Sequence, residues 1–200
     1  MVSTGSSAEF VLASASPRRR ELLQQIGCLF QVAPVNLDET PMLGELPEHY
    51  VVRMALEKAR AGWNASREQG KPVLAADTTV VCEGEIFGKP ANRDEALVML
   101  RRLSGRSHQV LSAVALCDAS RCESRLSETE VRFRVIDEAE CQRYWNTGEP
   151  ADKAGGYGIQ GYGAVFITSI QGSYSGVVGL PLAETCDLLS AFGLSWWESA

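Results

Sequence analysis

The stretch Val73-Leu74-Ala75-Ala76-Asp77-Thr78-Thr79-Val80-Val81-Cys82 decides the fold of this chain. It is apolar except at Asp77-Thr78-Thr79, a pattern typical of a strand that is buried on both faces. A carboxylate inside such a strand is costly unless it is paired, hydrogen-bonded or bound to a metal. Asp77 is therefore a candidate functional residue. The alternative is an aspartate that caps a turn at the end of the strand.

Glu83-Gly84 comes directly after this strand and predicts a hairpin turn into a second strand that ends at Lys89. Two registers remain open. A two-residue loop places Lys89 opposite Thr78, whereas a three-residue loop places it opposite Thr79, on the face of Asp77. Either register brings Lys89 close to Asp77. A lysine that protects an edge strand from aggregation is the alternative interpretation.

The rest of the chain mixes strands and helices without strict alternation. Further strands are predicted over residues 10–14, 30–33, 109–117, 128–135, 164–170 and 176–178. Helices are predicted over residues 17–26, 47–61, 137–146 and 181–192, and another begins at the N-cap Asn92 and ends before Gly105. This order predicts a mixed α/β sheet flanked by helices rather than a doubly wound sheet.

The composition is that of an ordinary globular protein. The chain has 200 residues, 45% hydrophobic and 22% charged, which excludes disordered and fibrous classes. Its 19 Lys and Arg against 25 Asp and Glu give a net charge of −6. A net negative chain is a poor generic partner for nucleic acid polymers, because that binding depends on neutralising phosphates. We expect no nucleic acid polymer and no membrane as partners, since no run approaches the ~18 apolar residues of a membrane helix.

Cysteine and histidine usage narrows the chemistry further. The six cysteines form no Cys-x-x-Cys pair, so zinc ribbons and thioredoxin-type motifs are disfavoured. We expect them to be reduced thiols in a cytoplasmic protein, because no signal-peptide pattern is visible and a chain of this size needs no disulfide framework. His49 and His108 are far apart, and we interpret each as a surface or structural residue.

Basic residues cluster at the predicted start of the first helix, in Ser14-Ala15-Ser16-Pro17-Arg18-Arg19-Arg20. Ser16 and Pro17 predict an N-cap and a first helical residue. Arginines are unfavourable beside the positive end of a helix dipole unless an anion lies nearby. The cluster therefore indicates a phosphate-binding site, and a solvated basic helix face is the alternative.

A glycine-rich loop lies in the last third of the chain. Five glycines fall within residues 155–163, and residues 154–183 carry no charge. Glycine lets the backbone approach a ligand closely, and the amide of Gln160 offers both a donor and an acceptor to a nucleobase edge. Tight packing or a subunit interface is the alternative, and neither excludes ligand binding.

Together these segments resemble the Maf family of nucleoside triphosphate pyrophosphatases. The matching segments, which extend from residue 10 to about 193, are Ala13-Ser14-Ala15-Ser16-Pro17-Arg18-Arg19, Ala76-Asp77-Thr78, Gly88-Lys89-Pro90, Glu149-Pro150-Ala151-Asp152-Lys153-Ala154-Gly155, Tyr157-Gly158-Ile159-Gln160-Gly161, Gly172-Ser173-Tyr174 and Val178-Gly179-Leu180-Pro181-Leu182. The resemblance implies an elongated mixed sheet with a central cleft, related to the inosine triphosphatase architecture. It also implies a flexible N-terminus at 1–9, a single catalytic domain of two lobes at 10–193 and a C-terminal tail at 194–200.

The resemblance assigns a role to each candidate residue. Asp77 would be the proton acceptor, and the residues that set base preference would be Arg18, Thr78 and Gln160. The residues that would hold the triphosphate are Ser14, Arg18, Arg19, Lys58 and Lys89. Glu39 and Asp77 would bind a divalent cation, Mg²⁺ or Mn²⁺. The threonine after the catalytic aspartate and the Tyr-Gly-Ile-Gln-Gly loop are similar to the subgroup that hydrolyses dTTP and UTP.

The chemistry of these residues agrees with cleavage between the α- and β-phosphates of a nucleoside triphosphate. Mg²⁺ prefers carboxylates together with substrate phosphates, and Arg and Lys stabilise charge on phosphate oxygens. We expect a metal-dependent hydrolase of phosphoric anhydrides that releases pyrophosphate, and the family suggests a homodimer. The alternative is a non-catalytic, nucleotide-binding regulator of cell division.

Overall fold

The computed structural model describes residues 8–197, which form one mixed sheet of seven strands in the order β2-β1-β3-β5-β6-β7, with β4 paired to β3. The strands are β1 Phe10–Leu12, β2 Phe30–Val32, β3 Val73–Cys82, β4 Glu85–Phe87, β5 Ser107–Cys117, β6 Cys122–Phe133 and β7 Ile167–Gln171. β1 pairs in parallel with β2 and β3, and the remaining pairs are antiparallel. The predicted mixed sheet is confirmed.

Helices cover both faces of this sheet. They are α1 Pro17–Gln25, α2 Pro47–Ser66, α3 Arg93–Leu103, α4 Glu138–Trp145, α5 Tyr174–Val178 and α6 Leu182–Ala191, with 3₁₀ segments at Arg67–Gln69, Glu149–Asp152, Ala154–Gly156 and Tyr162–Phe166. The predicted N-cap at Asn92 is confirmed, because its side chain accepts a hydrogen bond from the Glu95 amide. Within residues 8–197, no helix combines the length and apolarity that a membrane crossing requires.

Side-chain alternation along β3 explains how the core is divided. Val73 and Ala75 pack with α2 on one face, whereas Leu74 and Ala76 pack with α1 and α6 on the other. Farther along that second face, Val80 packs with α3 and α4. Successive strand residues point to opposite faces, so both faces of β3 are buried and the two clusters on the second face lie on either side of Thr78.

The hairpin after β3 has the two-residue loop, because Val80 pairs with Phe87 and Cys82 pairs with Glu85. β4 ends at Phe87, so Lys89 lies beyond the strand rather than opposite a residue of β3. Glu83 has a positive φ of 54° and Gly84 one of 81°, which is the geometry of a tight hairpin turn.

The expectation that all six cysteines are reduced is wrong for two of them. Cys117 and Cys122 form a disulfide. They end β5 and begin β6 as directly paired residues, with Cα atoms 4.1 Å apart. Because β6 starts earlier than predicted, the sequence pattern placed Cys122 outside any strand and hid this pairing. The remaining cysteines, Cys28, Cys82, Cys141 and Cys186, are free thiols.

The strand predicted over residues 176–178 is also wrong, since these residues belong to the helix α5. The Ser173 side chain accepts a hydrogen bond from the Gly176 amide and starts the helix. Gly179 ends it with a φ of 132°. The strand predicted over 164–170 begins only after the 3₁₀ segment Tyr162–Phe166.

The predicted division of the chain into segments stays a prediction. Of the N-terminal segment 1–9, residues 1–7 lie outside the described residues, and so do residues 198–200 of the C-terminal tail.

Candidate functional site

A cavity of about 690 Å³ opens beside the middle of β3. All nine predicted site residues line it: Ser14, Arg18, Arg19, Glu39, Lys58, Asp77, Thr78, Lys89 and Gln160. They come from the start of α1, the loop before α2, α2 itself, β3, the segment after β4 and the glycine-rich loop. The fold therefore brings together residues that are more than 140 positions apart in the sequence.

The centre of the site is an ammonium group between two carboxylates. Lys58 Nζ lies 2.7 Å from Asp77 Oδ1 and 2.6 Å from Glu39 Oε1. Asp77 shares the α2 face of β3 with Val73 and Ala75, which aims it at Lys58 on the helix above. Asp77 is 7% exposed and Lys58 8%, so the pair is buried, whereas the Glu39 side chain is half exposed. The cost of burying Asp77 is offset by Lys58.

The two carboxyl groups differ in acidity. Burial raises the pKa of Asp77, and the positive charges of Lys58 and Arg19 oppose that shift without cancelling it. Burial also pushes the pKa of Glu39 upward, but the hydrogen bond from Lys58 and the nearby cations bring it below its ordinary value. Asp77 is therefore the better proton acceptor of the two, since a raised pKa brings it closer to neutral pH.

The carboxylates of Glu39 and Asp77 fit the predicted divalent cation. Glu39 Oε1 and Asp77 Oδ1 both lie within 2.7 Å of Lys58 Nζ, so the two carboxylates are side by side at the cavity. Mg²⁺ is commonly held by one or two carboxylates that share it with substrate phosphates. Among the described residues, no cluster of three or more His, Cys, Asp or Glu side chains could hold a metal ion.

Arg19 is held in place by three separate segments of the chain. It donates to the Gly179 carbonyl at 2.8 Å, to Ser14 Oγ at 3.2 Å and to Thr78 Oγ1 at 3.5 Å. Ser16 occupies the N-cap position as predicted, but its side chain makes no capping hydrogen bond. Instead its amide donates to Ser14 Oγ at 3.2 Å. These contacts fix the Arg19 guanidinium before any ligand binds.

Arg18 and Lys89 are less constrained. Arg18 is half-buried, Lys89 is exposed, and both line the cavity. Neither forms an ion pair within residues 8–197. The cavity therefore presents two cations that are not held in a direct ion pair, although Asp152 lies near Arg18 and Glu39 near Lys89.

Ser112 is a buried residue of this site that sequence reasoning missed. Its hydroxyl donates to the Gly176 carbonyl at 2.6 Å and lies 2.9 Å from Thr78 Oγ1. A hydroxyl has one proton, so Thr78 is the donor in the contact between them, with the Gly179 carbonyl at 3.4 Å as a second, longer acceptor for the same proton. The lone pairs of Thr78 then face Arg19. The only sequence signal for Ser112 is a polar residue within the apolar strand β5.

The glycine-rich loop forms a second wall of the cavity, and its exposed residue Gln160 is among the lining residues. Sequence reasoning missed other lining residues near this loop, namely Glu149, Asp152, Lys153 and Tyr157. Lys153 Nζ donates to Asp152 Oδ1 at 2.6 Å and to the Glu149 carbonyl at 2.9 Å. All four lie in segments that match the family, but the sequence assigned them no role.

Behind this wall lies His108, whose Nε2 is 2.8 Å from Tyr157 Oη. His108 is 3% exposed and packs edge-on against Phe133 and Tyr157. Burial lowers its pKa to about 4, so it is neutral near pH 7. Its interpretation as a structural residue agrees with this position in the core.

Fold and cavity together define a protein that can receive a polyanion beside a buried carboxylate. A model of the Maf-like protein family matches residues 9–192, and the chain therefore belongs to this family. A dTTP/UTP pyrophosphatase from Hahella chejuensis is 52% identical over 189 residues, which cover 94% of this chain and 94% of that protein. A dTTP/UTP pyrophosphatase from Aromatoleum aromaticum is 52% identical over 198 residues, with coverage of 93% and 96%.

Solved structures show a more distant likeness. A nucleoside-triphosphatase / dITP/XTP pyrophosphatase from Mycobacterium abscessus matches with a TM-score of 0.45 and 18% identity, covering 92% of this chain and 94% of that one. The Ham1 protein of Staphylococcus aureus matches with a TM-score of 0.47 and 17% identity, covering 92% and 96%. Likeness at this distance does not bear on the activity.

Proposed function

We propose that this protein hydrolyses dTTP and UTP to the nucleoside monophosphate and pyrophosphate. The observation that carries the proposal is the buried Asp77 carboxylate, set among the cations Arg19 and Lys58 in a single cavity. A chain that only bound nucleotides would gain nothing from a desolvated carboxylate near the phosphates. The names of relatives about half identical to the chain support the same reaction.

The triphosphate is held at the side of the cavity where the cations lie. Arg19 is already oriented by its bonds to Gly179 and Ser14, so binding costs little side-chain entropy. Arg18 and Lys89 contribute further positive charge, since neither is held in a direct ion pair by a described residue. Charge on the phosphate oxygens in the transition state is stabilised best by such fixed cations.

Asp77 acts as the general base. Lys58 holds Oδ1, and no residue among 8–197 donates a hydrogen bond to Oδ2, which leaves this oxygen to orient a water. The water oxygen bonds to the α-phosphorus, its proton passes to Asp77, and the bond to the bridging oxygen breaks so that pyrophosphate leaves. Glu39 and Asp77 would hold a divalent cation, which would supply further neutralisation of phosphate charge when bound.

The base is recognised at the glycine-rich wall. The Gln160 amide can donate to and accept from a pyrimidine edge. Arg18 and Thr78 contribute to base preference from the other side of the cavity. The Thr78 proton is already engaged with Ser112, so Thr78 acts as an acceptor in this proposal.

The test is pyrophosphate release from a panel of nucleoside triphosphates with Mg²⁺ or Mn²⁺. We expect dTTP and UTP to be the best substrates. Asp77→Asn should lower turnover by about 10³-fold or more, because an amide cannot accept the proton. Its circular dichroism spectrum should match that of the wild type. Turnover near the wild-type rate in Asp77→Asn would contradict the assignment, and release from no nucleotide would favour a non-catalytic nucleotide-binding regulator.

We also propose that the protein acts in the cytoplasm as a homodimer. The uncharged residues 154–183 are compatible with a subunit interface. Because glutathione and thioredoxin keep thiols reduced in the cytoplasm, the dimer is tested after a reductant has opened the Cys117–Cys122 disulfide. Light scattering on the reduced protein measures the oligomeric state, and a monomer at micromolar concentration would contradict the dimer.

A further inference from the structure

Glu149 makes an unusual set of contacts for a half-buried carboxylate. Its Oε2 accepts a hydrogen bond from the Tyr162 amide at 2.7 Å. Its Oε1 accepts one from the Gly163 amide at 3.0 Å and one from Tyr144 Oη at 2.7 Å. The amide of Gly158 in turn donates to Tyr144 Oη at 3.1 Å. One carboxylate and one phenol thus hold both ends of the loop whose tip is Gln160.

The loop lies so close to Glu149 that a side chain on its glycines would displace the groups that hold it. A Cβ on Gly161 would lie 2.0 Å from Glu149 Oε2, and one on Gly163 would lie 2.6 Å from Tyr144 Oη. Gly161 has a φ of −114°, so the conflict of a side chain there is with the carboxylate and not with the backbone conformation. The glycines let the backbone amides reach the carboxylate, and the carboxylate then fixes where they lie.

The hydrogen bonds to the Glu149 carboxylate favour its ionised form. Burial pushes its pKa upward, but the hydrogen bonds from Gly163, Tyr144 and Tyr162 outweigh burial, and the pKa is below its ordinary value. Hydrogen bonds from backbone amides to a charged group are stronger than those to a neutral one. Gln160 itself gains no hydrogen bond to its side chain from any described residue, so its position depends on how the backbone on either side is held.

We propose that Glu149 is the positioning residue of the base-binding loop: it fixes Gly158 and residues 162–163 so that Gln160 is presented to the nucleobase. This inference rests on the proposed function, because it assigns the loop to recognition of the base. The Glu149 carboxylate forms hydrogen bonds with the loop and with Tyr144, and none with the charged residues around Asp77 among the described residues. The loss of Glu149 therefore has a large effect on the choice of nucleotide that binds. Its effect on the reaction rate of a bound nucleotide is smaller.

Glu149→Gln is the central test, because it keeps the side-chain size but turns one acceptor into a donor that faces an amide. We expect the KM for UTP to rise about tenfold, kcat to change less than threefold, and the preference for UTP over ATP to fall by a similar factor. Tyr144→Phe should also raise the KM for UTP and lower the preference for UTP over ATP, each by a smaller factor. Glu149→Asp, which keeps the charge on a shorter side chain, should recover part of the preference.

Glu140→Gln is the matched control for simple loss of stability. Glu140 also accepts a backbone amide hydrogen bond and two from an arginine, but it lies outside the cavity lining. It should lower the melting temperature without changing the UTP-to-ATP preference. An equal change of preference in both glutamine variants, or none in Glu149→Gln, would overturn the inference.

A binding measurement separates this inference from the proposed function. Titration with the α,β-methylene analogues of UTP and ATP gives a Kd ratio that does not depend on turnover. A wild type that prefers the UTP analogue but releases no pyrophosphate would refute the reaction alone. An active wild type whose Kd ratio is unchanged in Glu149→Gln would refute the role of Glu149 alone.

Discussion

The two walls of the cavity are built by different means. On the charged wall, side chains from β3, α1 and α2 bind one another directly, as in the contacts of Lys58 with Asp77 and Glu39. On the glycine-rich wall, backbone amides bind the single carboxylate of Glu149. The geometry of the charged wall therefore depends on the residue type at a few positions. The geometry of the glycine-rich wall depends on several positions that carry no side chain.

The largest expected effect is on the charged wall. Lys58→Met leaves Asp77 buried without its partner, and removal of one member of a buried pair costs about 3 kcal/mol or more. We expect the free energy of unfolding to fall by that amount, with the loss greatest at alkaline pH and smaller toward acid pH, where Asp77 can take up a proton. Urea unfolding at several pH values measures both.

Lys89→Met is the matched control for that variant, because Lys89 is exposed and has no ion pair among the described residues. Its stability should stay within about 0.5 kcal/mol of the wild type, while pyrophosphate release falls about 10²-fold. An equal loss of stability in both variants would show that the buried Lys58–Asp77 pair contributes no more to stability than an exposed lysine does.

The second prediction concerns the support behind the glycine-rich wall. The pKa of His108 is about 4 in the folded protein and 6.5 ordinarily, because burial disfavours its charged form. The unfolded chain therefore binds more protons between these values, and stability falls as the pH is lowered from about 6.5 to about 4, by about 3 kcal/mol in total. His108→Gln removes this contribution, so its stability should fall less over that window. Parallel unfolding curves against pH would contradict the assignment.

The smallest expected effect comes from the glycine-rich wall itself. Gly161→Ala forces a methyl group against the Glu149 carboxylate, which must release the Tyr162 amide. We expect a loss of about 1–2 kcal/mol in unfolding free energy, since roughly one charged hydrogen bond is lost. Gly88→Ala is the control, because nothing lies within 4 Å of its added Cβ. Thermal melts measure both variants. An equal shift of the melting temperature in the two would show that the close contact at Gly161 does not affect stability.

The charged wall was largely predictable from the sequence. A carboxylate within an apolar strand is costly, and this fact alone singled out Asp77 and the bounds of β3. The family resemblance named Lys58, and the structure places it among the buried residues of α2 with Val51 and Ala55. The roles of these residues in the reaction stay predictions that the variants above test.

The glycine-rich wall was harder to predict for a physical reason. Its glycines were visible, but the groups that hold it, Glu149 and Tyr144, lie before the loop and act on backbone amides, which leave no mark in a sequence. Residues 176–178 show the same limit, because one hydrogen bond from Gly176 to Ser173 turned a strand-like pattern into a helix. The Cys117–Cys122 pairing depends on the residue at which β6 begins. That residue is set by how β6 pairs with β5, which the local sequence pattern does not determine.

Adjacent residues of β3 serve opposite sides of the sheet. Asp77 points toward α2 and Lys58, whereas the hydroxyl of Thr78 meets Arg19 and Ser112. A substitution at Thr78 can therefore change the contacts of Arg19 while Asp77 keeps its hydrogen bond from Lys58. A single inserted or deleted residue earlier in β3 would exchange the two faces and destroy both. Such a strand can diversify by replacement at Thr78, but it cannot tolerate a change of length before that position.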